Sequence, residues 1–165
     1  MQSTTITTKD PQDGQYLSVV GDTYRLLLTG EQTNNSCAII DMFIPPNGGP
    51  GPHAHSHMQE SFYVIEGEVV VRTETQMYTA RKGSFVNIPL GGTIHNFKNE
   101  SDTTAHLLCL VVPAGLEKMF QEIGKPVKAG EFLPLPHLGI EELKHMREIA
   151  ERYGQEVFPP DYFKK

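Results

Sequence analysis

Between Tyr16 and about Pro113 the chain alternates short apolar runs with turn residues, and the runs have the length of strands. The candidate strands are Tyr24–Leu28, Ala38–Ile44, Ser61–Ile65, Glu68–Thr73, Gln76–Thr79, Phe85–Ile88, His95–Lys98 and Ala105–Val112. Gly30, Pro45-Pro46-Asn47-Gly48-Gly49, Glu66-Gly67, Lys82-Gly83, Gly91-Gly92 and Asn99 to Asp102 punctuate them. Short strands with regular turn signals predict an all-β sandwich or barrel. No helical crossover interrupts the series, so the sheets are expected to be antiparallel.

The period changes after Pro113. In Ala114–Gly124 the apolar Leu116, Met119, Phe120 and Ile123 recur at helical spacing, and a glycine closes the run. Pro126 to Pro136 reads as a proline-containing linker. Ile140, Leu143, Met146, Ile149, Ala150 and Tyr153 then share one helical face, with Gly154 placed as a C-cap. Two short C-terminal helices are therefore expected, covering an open face or edge of the β-region. Residues 1–15 are expected to form a loosely docked arm. A chain of 165 residues favours one domain, 1–165, with a barrel core at about 16–113 and a helical extension at about 114–165.

Charge narrows the partners. The formal net charge is −6, and lysines and arginines form no cluster, which argues against nucleic acid and anionic membranes. No apolar run approaches membrane-spanning length. The N-terminal MQSTTITTKDPQDGQ has no apolar h-region, so no secretory signal is expected and the expected compartment is the cytoplasm. Cys37 and Cys109, each beside apolar residues, are expected as buried thiols in strands, outside any disulfide framework.

The chain has seven histidines, and three of them stand at alternate positions in His53-Ala54-His55-Ser56-His57. Residues two apart in a strand point to one face, about 6.6 Å apart, so the His53 and His55 imidazoles can lean onto a single ion. Neutral imidazole offers the lone pair that a metal needs, and a carboxylate compensates the charge of a divalent cation. Glu60 follows His55 after four residues, room for a bend into the next strand. His95 opens a strand after a glycine-rich turn and is the candidate fourth ligand. An N/O set without thiolates suits one divalent transition ion, Fe, Mn, Ni, Cu or Zn, better than Ca or Mg. If that ion prefers five or six ligands, positions stay open for substrate. His57 shares the parity of the pair but would leave only two residues before Glu60, and it stays unassigned. Phe62, Val64 and Phe97, together with Met42 and Tyr63, are pocket walls or plain core on this reading. The loop at 45–52 is a stiff connection or a pocket rim. Gly67 is expected to permit a hairpin turn.

These stretches resemble the two motifs of the cupin family. The first motif is glycine, five residues, H-x-H, three or four residues, glutamate, six residues, glycine. Here His53-Ala54-His55, Glu60 and Gly67 fit it, and Gly48 supplies the first glycine with four intervening residues. Gly83, Pro89, Gly92, His95 and Asn99 follow the second motif, with one extra residue between Pro89 and Gly92. The resemblance covers about residues 38–112. It implies a cupin double-stranded β-helix, a jelly-roll-like barrel, with His53, His55, Glu60 and His95 as metal ligands inside, and a homodimer. A narrower likeness, carried by SFYVIEGE, VVPAGLEKMFQEIG and ERYG before Pro159-Pro160, is to quercetin dioxygenase-like single-cupin proteins. It implies an oxygenase acting on a small phenolic or enolisable molecule, with Glu60 as ligand or general base. A non-oxidative isomerase or decarboxylase and a non-enzymatic small-ligand binder remain open, because the fold hosts all three.

Overall fold

The computed structural model describes residues 5–164. Among these described residues twelve strands run in the order β1 (Gln15–Val19), β2 (Asp22–Leu28), β3 (Ala38–Ile44), β4 (His53–His55), β5 (Gln59–Glu66), β6 (Glu68–Thr73), β7 (Met77–Arg81), β8 (Phe85–Ile88), β9 (His95–Lys98), β10 (Ala105–Val112), β11 (Lys125–Val127) and β12 (Gln155–Val157). A one-turn helix α1 (Gly30–Thr33) follows β2, and the C-terminal helices are α2 (Leu116–Ile123) and α3 (Ile140–Arg152). One sheet has the order β11-β1-β2-β3-β10-β5-β8 and the other β12-β4-β9-β6-β7. Every pairing is antiparallel. No helix among the described residues is long and apolar enough to cross a membrane.

The two sheets share one core. Ile40, Met42, Phe62, Leu107 and Cys109 meet Val69, Val71, Ala80 and Phe97 in it. In β10 the burial alternates residue by residue: Ala105, Leu107, Cys109 and Val111 are sealed, while Leu108, Leu110 and Val112 face out. The outer face of the larger sheet therefore exposes Leu108, Leu110 and Val112 together with Tyr63 and Phe85. Tyr63 is not a pocket wall: it has the opposite parity to Glu60, Phe62 and Val64 on β5 and points to solvent.

Gly67 does not make the expected hairpin. It joins β5 of one sheet to β6 of the other, so it turns the corner between the layers. Its φ is +73°, and a Cβ there would lie 2.9 Å from the Ala105 Cα. The N-terminal arm is tethered more firmly than its polarity suggests. Arg25 donates through Nε to the Asp13 carbonyl and through Nη2 to the Asp10 carbonyl, each at 2.6 Å. Residues 1–4 of that arm lie outside the described residues.

The linker after α2 opens with β11, an edge strand on β1 that tolerates Pro126 because an edge position need not donate to a second neighbour. Near the C-terminus, β12 extends the smaller sheet beside β4. The two C-terminal helices pack against the barrel: Leu116, Met119, Phe120, Ile149 and Ala150 join the main core. Arg152 and the Tyr153 hydroxyl, from the end of α3, both bond Glu122 of α2 and tie the two helices together.

Candidate metal centre

Four side chains from both sheets converge inside the barrel. β4 carries His53 and His55, with all three of its residues buried. It lies beside β9, where His53 pairs with His95. The bend at 56–58 turns the chain toward the opposite sheet, with Met58 inward and His57 exposed. Glu60 then enters near the start of β5. One potential donor atom each from His53, His55, Glu60 and His95 lies within 4.8 Å of the others, and the group could hold a metal ion. All four residues are buried, His95 completely.

The backbone fixes how the imidazoles present themselves. His53 Nδ1 lies 2.9 Å from the Gly51 carbonyl, His55 Nδ1 3.0 Å from the Met58 carbonyl and His95 Nδ1 2.8 Å from the Thr93 carbonyl. A carbonyl only accepts, so each Nδ1 carries the proton and donates. In the neutral rings the Nε2 lone pairs are then left for the cluster, the arrangement that orients metal-binding histidines. His55 Nε2 lies 3.1 Å and His95 Nε2 3.5 Å from Glu60 Oε2. The His95 Nε2 is buried and has no hydrogen-bond partner among the described residues. Neutral imidazole nitrogens facing a carboxylate set lone pair against lone pair, so the centre requires a cation between them, either protons or a metal. The orphaned Nε2, the donor types and the enclosed geometry all fit a divalent transition ion.

The charges agree with this. Burial, with the neighbouring His95, pulls His53 down to about 4, so that imidazole is neutral at pH 7. Burial also disfavours a charged His55, but the hydrogen bond and charge of Glu60 outweigh it and raise its pKa. Burial would lift Glu60, yet the hydrogen bond from His55 and the charges of His95 and His55 hold it well below the carboxylate range. The Cys109 thiol donates to Glu60 Oε1 at 3.4 Å. Burial and the Glu60 charge push that thiol far up, so it stays protonated. Cys37, by contrast, is only half-buried, and both cysteines are free.

A cavity of about 390 Å³ reaches the cluster at His53 and Glu60. Its walls are mainly apolar: Met42 and Phe97 from the barrel, and Leu116, Met119, Phe120, Leu143 and Met146 from the helical region. Gly49, Pro50 and Gly51 also line it, so the proline-glycine loop is a rim as well as a connection. Phe62 and Val64 belong to the core instead. The extra residue of the second histidine motif is absorbed in the turn at 90–92, before β9 begins on His95.

Two further residues line the cavity, Asp22 and Tyr24, neither of them a site candidate by sequence. They sit on one face of β2, and nothing in DTYRLLL separates them from strand residues with a structural role. Tyr24 Oη donates to Asp22 Oδ2 at 3.0 Å, and the Gly49 N–H donates to Oδ1 at 3.1 Å. Burial outweighs both contacts and raises Asp22 to about 7. A folded-state pKa above the unfolded value means that stability is present at low pH and lost as pH rises through the window from 3.8 to about 7. The full shift corresponds to roughly 4 kcal/mol. In chelator-treated protein, Asp22→Asn is therefore expected to gain stability over wild type by that order between pH ~4 and pH ~8, read by urea unfolding. A difference that stays constant with pH would remove Asp22 as its source.

His106 and His145 lie apart from the centre. His106 Nε2 contacts Asp41 at 2.9 Å on the outer face of the larger sheet. His145 is exposed on α3.

Comparison with known proteins places these features among relatives. The family model described as "Cupin domain" matches residues 40–111. Quercetin 2,3-dioxygenase of Bacillus subtilis is 23% identical over 120 residues, covering 73% of this chain. The match takes in only 35% of that enzyme, so the chain spans about a third of its relative. Among solved structures, a predicted oxalate decarboxylase from Thermotoga maritima aligns with TM-score 0.59 at 18% identity, over 66% of this chain and 99% of its own. A sugar phosphate isomerase from Silicibacter pomeroyi aligns with TM-score 0.54 at 19% identity, over 64% and 73%. At these identities the structural likeness concerns the fold.

Proposed function

We propose, from the cupin-domain match over residues 40–111 and the cavity above, that this chain is a metal-dependent oxygenase acting on a small, largely apolar phenolic or enolisable molecule. The observation that carries the reading is the position of the His/Glu cluster at the end of an apolar cavity. His53, His55, Glu60 and His95 would hold one divalent ion. A bound redox-active ion supplies Lewis acidity toward a substrate hydroxyl and one-electron exchange with dioxygen.

The rest falls to the chain's own residues. The three backbone carbonyls on Nδ1 keep the imidazoles in the tautomer that faces inward. Glu60, released from the ion, would accept the proton of the substrate hydroxyl, while the Cys109 S–H steadies Oε1. Phe97, Met42 and the α2 side chains hold the apolar body and exclude water.

The walls also weigh against the relatives' other substrate classes. Arg147 is the one permanent cation in the lining among the described residues, and a small dianion or a phosphate calls for a cluster of them.

The test is oxygen uptake by protein loaded in turn with Fe, Mn, Ni or Cu, over a panel of phenols and enols that includes quercetin. Uptake by wild type is expected to fall on the order of 100-fold or more in Glu60→Gln. Turnover that proceeds equally without oxygen would replace the oxygenase by an isomerase or decarboxylase. Binding without turnover under any metal would leave a ligand-binding barrel.

A further inference from the structure

Asp22 is 3% exposed and makes no ion pair among the described residues. An unpaired buried carboxylate is a costly choice. The two contacts it makes, to the Gly49 N–H and the Tyr24 hydroxyl, do not explain that choice. An asparagine would accept from the same amide and donate to the same phenol oxygen without burying a charge. A carboxylate, however, has roughly four acceptor positions, and protein donors use two. The residue lines the same cavity as Glu60 and His53. Tyr24 stands in the field of both carboxylates: burial, and then the charge of Asp22 and of Glu60, push its pKa well up, so it remains a hydrogen-bond donor.

We propose that Asp22 is a second ligand-binding carboxylate of this cavity, accepting a hydrogen bond from a hydroxyl of the bound molecule. The ligand class that follows is a compact apolar body with two hydroxyl groups, one directed to the His/Glu cluster and one to Asp22. This rests on reading the cavity as the substrate site, and it adds a requirement at a second hydroxyl, apart from the reacting group. A proton affinity near neutrality, which burial gives Asp22, suits an acceptor for a weakly acidic hydroxyl.

The experiment is calorimetric binding of hydroquinone and of bisphenol A, each against its monomethyl ether. It uses the full chain, metal-free and again with zinc, which supports no redox turnover. Wild type is expected to prefer a diol over its ether by roughly tenfold or more, the scale of a hydrogen bond to a charged group. In Asp22→Asn the preference is expected to fall to about unity, while the ether's affinity moves less than about threefold. A preference that survives in the variant overturns the proposal. So does equal weakening of both ligands, the signature of mere loop anchoring, and so does a wild type without preference or binding. If Asp22→Asn loses its melting transition, Tyr24→Phe takes its place. That variant keeps the carboxylate and its Gly49 contact and frees acceptor capacity at Oδ2, so the preference is expected to shift by about threefold, and an unchanged preference overturns the proposal. Oxygen uptake is scored separately. Loss of preference in Asp22→Asn with no uptake retains the Asp22 site and discards the oxygenase; uptake with an unaltered preference does the reverse.

Discussion

His95→Ala is expected to empty the metal centre. Wild type purified without chelator or affinity metal should carry about one transition ion per chain, and the variant less than about a tenth of that, by plasma mass spectrometry. The expectation rests on what His95 contributes. Its Nδ1 is committed to the Thr93 carbonyl, and its Nε2 is buried beside the Glu60 carboxylate, without a hydrogen-bond partner among the described residues. Alanine removes one of four candidate donors and leaves a cavity on the β9 side of the cluster. The strand itself should survive, since Phe97 and the pairing of β9 with β6 are untouched. A circular-dichroism melt separates loss of metal from loss of fold. Full metal in the variant would remove His95 from the ligand set. A wild type that takes up no ion even on reconstitution would end the metalloprotein reading.

The second large effect is structural. Gly49→Ala is expected to cost about 4 kcal/mol, combining a strained backbone with overpacking. At this chain length that lowers the melting temperature by about 10 °C or more. Gly49 has φ +113°, and an added Cβ would overlap the Phe97 carbonyl oxygen and press on the Lys98 Cα at 3.1 Å. Neither neighbour is a side-chain tip that can swing away. Both belong to β9, two and three residues past His95, so the strain is delivered beside the candidate centre. Gly51→Ala is the control. Nothing lies within 4 Å of its added Cβ, so its melting temperature should stay close to wild type. Equal behaviour of the two variants would refute the close-approach argument.

Much of this was legible in the residues, for identifiable reasons. The HAH repeat, the spacing to Glu60 and the strand opening on His95 are local patterns, and the four residues stand together in the structure. The periods of α2 and α3 are strong and their ends nearly coincide with the expected ones. What escaped depends on distant partners. β11 and β12 are three residues each, too short for a period to register, and they are strands only because β1 and β4 lie alongside. Run AHLLCLVV is almost uniformly apolar, so its two faces cannot be told apart before β3 and β5 flank it. Asp22 reads as an ordinary strand residue until Gly49 and Tyr24 are seen to hold it at a cavity wall.

The pairing of β4 also sets a timetable. This strand meets β9 at one register position but β12 at three, and β12 lies about a hundred residues further along the chain. As the polypeptide leaves the ribosome, His53 and His55 emerge early and wait for residues 155–157 before their strand has its longer partner. Of the two strands beside β4, the one with the longer pairing is thus the later to be synthesised. Loss of residues 155–157 would take from β4 its longer partner while leaving all four candidate ligands in the chain.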